Sequence, residues 1–245
     1  MKNKNLIGVV VQCRLSSTRL KNKILHKIQN KTLLEILIER LKKINANKIV
    51  LLIAKEKNYE KIVKIAKKMD VNFYIGSKNN VLLRTINGAK KFRLKNLIRI
   101  TSDCPLIDPY LVNKGINIYN KKKLDHLCNN HPPSWPHGLD FEIFSLKKLE
   151  KTYKGFTSNS EKENVTEKLR KEKNLKKYNL KCHLKLDRYY RWTLDTRNDY
   201  LFLSELFKKL PIINMHFRNS IILNYLKKNP NIQNINASTH HFYFR

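Results

Sequence analysis

The chain is predicted to form an α/β domain built on a largely parallel sheet. Short runs of β-branched and apolar residues alternate along the sequence with segments in which apolar residues recur every three or four positions. This alternation is typical of strands that are joined by crossover helices. The length of 245 residues allows the chain to bury roughly three quarters of its unfolded surface. We therefore expect a stable core without disulfides or structural metal ions.

The predicted strands are short and rich in Val, Ile and Leu. They cover residues 6–12, 49–54, 72–75, 97–101 and 140–144. Helices are predicted where the apolar residues form one stripe with a period of 3.6 residues. In "TLLEILIERLKKI", Thr32 and Glu35 also have the spacing of a capping box. The predicted helices cover residues 32–44, 59–69, 80–92, 109–120, 146–153, 161–173, 199–210 and 220–228.

The segment "NNHPPSWPHG", residues 129–138, interrupts the alternation of strands and helices with three prolines and a glycine. These residues predict a loop. The loop either carries binding function or is a plain surface connection, and the sequence leaves both interpretations open. Beyond residue 228 the sequence predicts a polar tail, in which His240 and His241 belong to an unstructured end.

The formal net charge of +32 is a feature of nucleic-acid-binding proteins, because clustered Lys and Arg attract phosphate backbones. Here the lysines are spread over every segment of the chain, whereas nucleic-acid readers favour arginine forks within one patch. The many Asn and Ile residues also indicate an A+T-rich coding sequence as the origin of the basicity. We therefore expect no specific nucleic-acid binding.

The cysteines and the apolar runs bear on the compartment of the protein. The cysteines have neither C-x-x-C spacing nor paired histidines, which argues against a zinc site and a disulfide framework; they are Cys13, Cys104, Cys128 and Cys182. The longest apolar runs, 6–11 and 49–54, are far shorter than the roughly 20 residues of a membrane span. The first run leads into polar residues instead of a cleavage site for a signal peptide. We expect a cytoplasmic protein with reduced cysteines.

The stretch "LIGVVVQCRLSSTRLKNK", residues 6–23, changes abruptly from apolar residues to hydroxyls and cations. In open α/β sheets, ligands bind at the carboxyl ends of the strands. Backbone amides and hydroxyls in this loop could therefore cradle phosphate oxygens, while Arg14, Arg19 and Lys23 neutralise their charge. The loop lacks the G-x-x-x-x-G-K-[ST] pattern of a Walker loop. The alternative is a solvated basic turn in a lysine-rich protein.

Two aspartates fall in loops at strand ends. Asp103 follows the predicted strand in "RITSDCP", and Asp195 precedes a predicted helix in "RWTLDT". Two carboxylates that face one crevice suit Mg²⁺, which is held by one or two protein carboxylates together with substrate phosphates. The alternative role is helix capping. That role falls more naturally to Asp108 for one helix and to Thr196 or Asn198 for the other, so we favour a metal site.

A further group of polar residues lies in "HGLDFEIF". Asp140 and Glu142 occupy alternating positions of a predicted strand and therefore share one face, with His137 nearby. This face either hydrogen-bonds a polyhydroxylated substrate or forms the polar side of a half-exposed strand. Together, a basic phosphate loop and two carboxylates suited to Mg²⁺ predict a nucleoside triphosphate site and a nucleotidyl transfer reaction.

Six blocks of the sequence resemble, in the same order, those of the cytidylyltransferases that make CMP-activated sugars. The blocks are "VVVQCRLSSTRLKNKIL", "GSKNNVLLR", "RITSDCPLIDPYLV", "HGLDFEIFS", "EKENVT" and "RWTLDTRNDY". The first resembles the family signature Q-A-R-x-x-S-T-R-L-P-x-K. The similarity covers residues 6 to about 210. It is closest to the spore-coat polysaccharide branch, which is related to the acylneuraminate and 3-deoxy-manno-octulosonate cytidylyltransferases.

This resemblance implies a Rossmann-like nucleotide-diphospho-sugar transferase fold, with a mixed, mainly parallel sheet. It places the catalytic domain in residues 1–210, with a small lobe for substrate binding and dimerisation in about 125–185, and leaves a helix and tail in 211–245. It also implies that CTP and a sugar or sugar acid are the substrates, Mg²⁺ the cofactor and a homodimer the assembly.

By the same resemblance, each block contributes residues to the site. The nucleotide-binding residues would be Gln12, Arg14, Ser17, Arg19, Lys23, Arg84 and Asp103. Asp103 and Asp195 would hold Mg²⁺, and together with Arg14 and Lys23 they would form the catalytic set. The residues that line the sugar pocket would be His137, Asp140 and Glu142.

Several residues differ from the family pattern. Lys21 and Asn22 replace the Pro-Gly pair before the loop lysine, and asparagine tolerates a left-handed backbone better than most residues. The other differences, most of them in blocks near the nucleotide or the substrate, are Asn80, Ser102, His137, Asn164 and Arg197.

The leading hypothesis is an Mg²⁺-dependent cytidylyltransferase that activates a sugar for the synthesis of a surface polysaccharide or glycan. The alternatives are transfer of another nucleotide, a phosphorylated acceptor that is not a sugar, a family member that binds nucleotide without transferring it, and a basic nucleic-acid-binding protein.

Overall fold

The computed structural model describes residues 6–154, 158–210 and 218–239, and within them nine strands form two sheets. The strands are β1 (Ile7–Cys13), β2 (Lys27–Ile28), β3 (Lys31–Thr32), β4 (Lys48–Ala54), β5 (Asn72–Gly76), β6 (Asn96–Thr101), β7 (His126–Cys128), β8 (Glu142–Ser145) and β9 (Lys177–Asn179). A seven-stranded sheet has the order β5-β4-β1-β6-β8-β7-β9, and β2 pairs with β3 in a small hairpin.

The large sheet is mixed but mainly parallel, as predicted. Strand β1 lies at its centre and pairs in parallel with both β4 and β6, and β5 continues the parallel half. Strand β8 is antiparallel to both of its neighbours, β6 and β7. The carboxyl ends of β1, β4 and β6 therefore meet at one edge of the sheet, where a ligand site is expected.

Helices cover both faces of the large sheet. They are α1 (Leu33–Leu41), α2 (Glu60–Lys68), α3 (Val81–Lys91), α4 (Pro109–Lys121), α5 (Leu146–Thr152), α6 (Asn159–Glu163), α7 (Glu167–Lys171), α8 (Arg197–Lys209), α9 (Asn219–Lys228) and α10 (Pro230–Asn234). Alternate residues of β1 point to opposite faces. Val9 and Val11 pack in the larger apolar cluster with α1 and α8, whereas Val10 packs in the smaller cluster with α3.

The side chains that were predicted to cap helices do so. Thr32 and Glu35 form both hydrogen bonds of a capping box at the start of α1. Asp108 accepts hydrogen bonds from two backbone amides in the first turn of α4, and Thr196 caps α8. Because these local bonds satisfy amides that the helix leaves unpaired, they set the points at which the three helices begin.

The predicted helix over residues 161–173 is wrong. The chain forms two short helices, α6 and α7, with a break at Asn164 and Thr166. The Thr166 hydroxyl donates to the buried carboxylate of Glu142 at 2.7 Å, and this contact holds the backbone out of a continuous helix. The predicted strand over 140–144 begins later, at Glu142, and the short strands β7 and β9 were not predicted.

The predicted polar tail is partly wrong. Helix α9 agrees with the prediction over 220–228, but the chain continues into α10 and on to Asn236, whose side chain is buried. Its amide donates to the Arg191 carbonyl at 3.0 Å and to the Asp199 carboxylate at 2.9 Å, which fixes this segment against α8. His240 and His241 lie outside the described residues. The domain boundaries stay predictions, and β7, β8 and β9 of the expected small lobe belong to the large sheet.

In the described part of the chain, no helix combines the length and the apolar character needed to cross a membrane. The four cysteines are free and buried. Burial raises the pKa of the Cys13 thiol to about 12 and that of the Cys128 thiol to about 11. Cys13 and Cys128 are therefore apolar core residues and not reactive thiolates.

The proline-rich segment forms a loop, as predicted, and Gly138 fixes its end against the strand-like segment before α8. The backbone amide of Trp192 donates to the His137 carbonyl at 2.6 Å. Gly138 has a φ of +110°, and a Cβ atom at this position would lie 2.5 Å from the backbone nitrogen of Thr193. Only glycine fits both the backbone conformation and this close approach.

We predict that Gly138→Ala destabilises the protein. The strained backbone alone costs about 1–3 kcal/mol, and the clash with backbone atoms adds to this cost because backbone cannot rotate away. Urea unfolding should show a lower midpoint with an unchanged slope. A matched control is Asn22→Gly, which replaces a left-handed asparagine and should leave the midpoint nearly unchanged. A Gly138→Ala midpoint equal to that of the wild type would contradict the close approach.

Candidate active site

The loop that follows β1 places a lysine beneath the carboxyl edge of the sheet. Residues 14–22 lead from the end of β1 into a single helical turn, Lys23–Leu25. Asn22 adopts a left-handed conformation with a φ of 53°, which asparagine tolerates better than most residues. The turn aims the Lys23 side chain inwards, and Lys23 is 7 % exposed.

The Lys23 ammonium joins the two aspartates that the sequence analysis assigned to a metal. Its Nζ donates to Asp103 Oδ2 at 2.9 Å and to Asp195 Oδ1 at 3.1 Å. The Arg19 guanidinium forms an ion pair with the second oxygen of Asp195. Three segments that are distant in the sequence therefore meet at one point: the loop after β1, the turn after β6 and the residues before α8.

The opposite charges of this cluster shift the pKa values of Lys23 and Asp103. Burial alone would lower the pKa of Lys23, but the nearby charges of Asp103 and Asp195 raise it above its usual value. Burial alone would raise the pKa of Asp103, but the charge of Lys23 outweighs that effect and lowers it to about 2. Lys23 and Asp103 are therefore both charged at neutral pH.

A second set of hydrogen bonds fixes the backbone around Asp195. The Asp199 carboxylate accepts hydrogen bonds from the amides of Asp195 and Thr196 at 3.0 and 2.9 Å. It also forms a bidentate ion pair with the buried Arg191, with nitrogen-to-oxygen distances of 2.8 and 2.9 Å. The Leu194 amide donates to the Asp103 carbonyl at 2.8 Å. The two aspartates are thus held together by backbone contacts as well as by Lys23.

A crevice of about 200 Å³ opens beside this cluster. Most of the residues predicted to bind nucleotide lie in its wall. These are Gln12, Arg14, Lys23, Arg84 and Asp103, with Ser102, Glu163 and Asn164 also present. The Arg14 side chain is 57 % exposed and forms only a distant ion pair with Glu163, at 3.4 Å. A phosphate group in the crevice could recruit it at little cost, since exposed ion pairs contribute little free energy.

Two of the residues predicted to bind nucleotide, Arg84 and Ser17, are placed less favourably for that role. The Arg84 guanidinium donates to the carbonyls of Ser77 and Lys78, so part of its hydrogen-bonding capacity serves the loop before α3, and burial lowers its pKa. Ser17 lines a separate open depression of about 420 Å³ on the outer side of the loop. The structure does not bring Ser17 into the crevice with Lys23.

Sequence reasoning missed a carboxylate that organises the loop after β1. Glu56, in the segment after β4, accepts hydrogen bonds from the backbone amides of Leu15 and Ser16. Its side chain is 6 % exposed and lies 3.9 Å from Lys78 Nζ. A glutamate in a run of lysines gave no signal, because its partners are backbone amides about 40 residues earlier in the chain.

A larger cavity of about 360 Å³ adjoins the crevice. Its wall contains the residues that were predicted to bind the sugar, and Arg99 and Thr101 of β6 line both spaces. The cavity is lined by Arg99, Thr101, Asn130, His131, Pro133, Trp135, His137, Asp140, Phe141, Glu142 and Asp187. Sequence reasoning did not identify Arg99, Asn130, Trp135 or Asp187.

Within this wall, His137 and Asp140 pair with each other. His137 Nδ1 lies 2.8 Å from Asp140 Oδ2. Burial alone would lower the pKa of His137, but the hydrogen bond to Asp140 outweighs it and raises that pKa. Asp140 also accepts a hydrogen bond from the Gly138 amide at 2.9 Å. This bond fixes the end of the loop next to the Asp140 side chain.

Glu142 is almost completely buried, with 1 % of its surface exposed, and it contacts two arginines and a histidine. Its carboxylate contacts Arg99 Nη1 at 2.9 Å, Arg170 Nη1 at 3.2 Å and His126 Nε2 at 3.3 Å. Burial alone would raise its pKa, but the His126 hydrogen bond and the arginine charges hold it well below the usual range. In the structure Glu142 orients the Arg99 side chain. Direct contact between Glu142 and a sugar stays a prediction.

Comparison with known proteins identifies the class. The cytidylyltransferase family model matches residues 8–193, and the chain therefore belongs to this family of nucleotidyltransferase enzymes. An uncharacterized protein of Methanocaldococcus jannaschii is 34 % identical over 239 residues, which is 95 % of both chains. The spore coat polysaccharide biosynthesis protein SpsF of Bacillus subtilis is 25 % identical over 220 residues, covering 84 % of this chain and 88 % of SpsF.

A solved structure of a cytidylyltransferase from Leptospira borgpetersenii is also similar. It superposes with a TM-score of 0.86 at 30 % identity and covers 93 % of this chain and 96 % of its own. The predicted family and the predicted nucleotide-diphospho-sugar transferase fold are confirmed, and the family supports transfer of CMP from CTP to a sugar-related acceptor.

We predict that Glu142→Gln destabilises the protein by about 3 kcal/mol, because it removes a buried carboxylate and leaves the partly exposed guanidinium groups of Arg99 and Arg170 without their counter-charge. The matched control is Glu150→Gln. Glu150 pairs with Lys90 at the surface, and its loss should cost less than about 1 kcal/mol. Urea unfolding at pH 7 measures both. Equal stability of the two variants would contradict the role assigned to Glu142.

The same variant predicts a pH dependence. The pKa of Glu142 is lower in the folded protein than in the unfolded chain, so its contribution is fully present above the unfolded value of about 4.3 and is lost as pH falls towards the folded value. The difference in unfolding free energy between wild type and Glu142→Gln should therefore shrink below about pH 4. A difference in unfolding free energy that stays constant from pH 7 to pH 3 would contradict the lowered pKa of Glu142.

Proposed function

We propose that this protein is an Mg²⁺-dependent cytidylyltransferase that transfers CMP from CTP to a sugar or sugar acid and releases pyrophosphate. The observation that carries the proposal is the convergence of Asp103 and Asp195 on the Lys23 ammonium, beside a crevice lined by Arg14. Carboxylates for a metal ion and cationic side chains for phosphates are the two components that a nucleoside triphosphate requires.

The two aspartates fit a divalent cation. Both already contact one positive atom, Lys23 Nζ, within 3.1 Å, so their oxygens can reach a common cation. No group of three or more His, Cys, Asp and Glu side chains suited to a metal occurs among residues 6–154, 158–210 and 218–239. A site with two carboxylates suits Mg²⁺, which retains waters and takes further oxygens from phosphates.

Asp103 and Asp195 would hold this ion, which when bound would neutralise charge that develops on the phosphates. Lys23 would turn from the aspartates to the phosphate oxygens, and Arg14 and Arg19 would bind the outer phosphates. Both arginines are more than half exposed, so they can move at low cost. The cations of the loop would thus exchange intramolecular carboxylates for the negative oxygens of the substrate.

The reaction would be an in-line displacement at the α-phosphorus. An oxygen of the acceptor forms the new bond to phosphorus, the bond to the pyrophosphate oxygen breaks, and the proton of a hydroxyl acceptor passes to solvent or to the departing pyrophosphate. Catalysis would rest on positioning and on charge neutralisation, without a covalent enzyme intermediate. The larger cavity adjoins the crevice through Arg99 and Thr101, which is a suitable place for an acceptor next to the nucleotide.

The relatives support the biological setting. SpsF carries spore coat polysaccharide biosynthesis in its name, and we propose that the present enzyme likewise activates a sugar for a surface polysaccharide or glycan. The homodimer and the cytoplasmic location stay predictions. So do transfer of another nucleotide, use of a phosphorylated acceptor that is not a sugar, and nucleotide binding without transfer. The nucleotide panel below tests the first of these alternatives, and the release of pyrophosphate tests the last.

Nucleotide choice is tested by thermal unfolding with CTP, UTP, ATP or GTP, each with and without Mg²⁺. A ligand at 100 times its dissociation constant stabilises the folded state by about 2.7 kcal/mol. For a protein of this size we expect the melting temperature to rise by roughly 5–10 °C with CTP and Mg²⁺, and by less with the other nucleotides. A shift that is equal for all four nucleotides would remove the CTP assignment.

The metal assignment is tested with Asp103→Asn and Asp195→Asn. Each variant should release pyrophosphate on the order of 10²–10³-fold more slowly and lose the Mg²⁺-dependent part of the CTP shift, while remaining folded because Lys23 keeps one partner. Asp70→Asn serves as the control, since Asp70 lies beyond the end of α2 with a left-handed backbone that asparagine tolerates. Full activity in either site variant would exclude that residue from the metal site.

A further inference from the structure

The wall of the crevice beside Lys23 contains buried side-chain atoms that have no hydrogen-bond partner among the described residues. They are Gln12 Nε2, Arg84 Nε and Arg99 Nε, and all three are donors. Because a buried donor without an acceptor costs free energy, this wall suits a ligand that supplies acceptors. Gln12 lines the crevice alone, whereas Arg99 also lines the larger cavity.

The neighbouring arginine fixes the orientation of the Gln12 amide. Arg99 Nη2 lies 3.0 Å from Gln12 Oε1, and a guanidinium group can only donate hydrogen bonds. The amide oxygen therefore faces Arg99, and the Nε2 group points away from it. Arg99 is held in turn by the carboxylate of Glu142 at 2.9 Å. Gln12 consequently presents a donor that cannot turn into an acceptor without losing its bond to Arg99.

Gln12 lies on the side of the crevice that faces α3. It shares its face of β1 with Val10, which packs in the apolar cluster with Val81, the first residue of α3. Val81 also lines the crevice. A neutral amide near a valine suits an uncharged heterocyclic base, whereas phosphate oxygens favour the charge-assisted hydrogen bonds that Lys23 and Arg14 can donate.

From this geometry we infer that Gln12 selects cytosine over uracil by donating a hydrogen bond to the ring nitrogen N3 of the base. In cytosine N3 carries a lone pair and accepts a hydrogen bond, whereas in uracil it carries a hydrogen and can only donate. Uracil would place a donor against a donor, and both groups would stay unpaired. This inference rests on the proposed function and deepens it, because it names the residue that determines the choice between the two pyrimidines.

Among the acceptors of CTP, N3 is the one through which a donor can distinguish the two pyrimidines. O2 accepts hydrogen bonds in cytosine and in uracil, and the phosphate oxygens are the same in every nucleoside triphosphate. A donor to any of these oxygens would bind CTP and UTP alike. Proteins commonly read an unpaired base by hydrogen bonds to its Watson–Crick edge, and N3 lies at the centre of that edge.

The first test uses the wild-type protein and changes one position of the ligand. 3-Deazacytidine 5′-triphosphate has a CH group in place of N3 and keeps the amino group, the ribose and the triphosphate of CTP. Isothermal titration calorimetry with Mg²⁺ measures the dissociation constants of CTP, UTP and this analogue. We expect UTP and the analogue to bind about tenfold more weakly than CTP, because each leaves the Gln12 donor unpaired. An analogue that binds as tightly as CTP would overturn the inference.

The second test reverses the donor. Gln12→Glu keeps an oxygen for Arg99 and replaces the amide donor with an acceptor, which is complementary to N3 of uracil. The dissociation constant of UTP divided by that of CTP should fall about tenfold, and the effect of the new charge on the triphosphate cancels in this ratio. Gln233→Glu is the matched control in α10, which contributes no described residue to the crevice, and should leave the ratio unchanged. An unchanged ratio in Gln12→Glu, as a contact with a phosphate would give, would refute the role of Gln12.

Gln12→Met separates reading of the base from support of the crevice. Methionine has a similar length and no donor, so this variant should bind CTP and the 3-deaza analogue with equal affinity, although the wild type separates them. A variant that still prefers CTP as strongly as the wild type does would contradict the inference. Equal binding of CTP and UTP by the wild type would remove the proposed CTP specificity as well, whereas a wild type that prefers CTP, together with an unchanged ratio in Gln12→Glu, would remove this inference alone.

Discussion

The carboxyl edge of the sheet, which carries the candidate site, depends on the ion pairs between one buried ammonium and two carboxylates. Lys23 comes from the loop after β1, Asp103 from the turn after β6 and Asp195 from the segment before α8. Each group would be costly to bury alone, and each is tolerated because the other two are present. The same contact brings the cations of the loop and the aspartates to one crevice.

The sequence was informative where local chemistry and strand order determine the structure. The central strands are continuous apolar runs, which are typical of a buried parallel sheet, and the caps at Thr32, Asp108 and Thr196 act within a few residues. The meeting of Asp103 with Lys23 followed from the same rule, because β1 and β6 are parallel neighbours and their carboxyl ends share one edge. Asp195 joins them because its flanking residues hydrogen-bond to the turn after β6.

What the sequence could not predict depends on contacts between distant polar residues. Glu56 and Glu142 look like ordinary charged residues in a lysine-rich chain, yet one holds the loop after β1 and the other collects arginines from two further segments. The break between α6 and α7 has the same origin, since the helical period continues in the sequence while Thr166 is drawn to the buried Glu142. Strands β7 and β9 have three residues each, too few for a period to be visible.

The two cavities are coupled through one strand. Arg99 and Thr101 are two residues apart on β6, so both side chains point to the same face of the sheet, and each lines the crevice as well as the larger cavity. Glu142 and Gln12 fix the Arg99 guanidinium from opposite sides. The distance between an acceptor and a nucleotide would therefore be set by a central strand and not by the surrounding loops. A site on a rigid element holds reacting groups more accurately than a loop does.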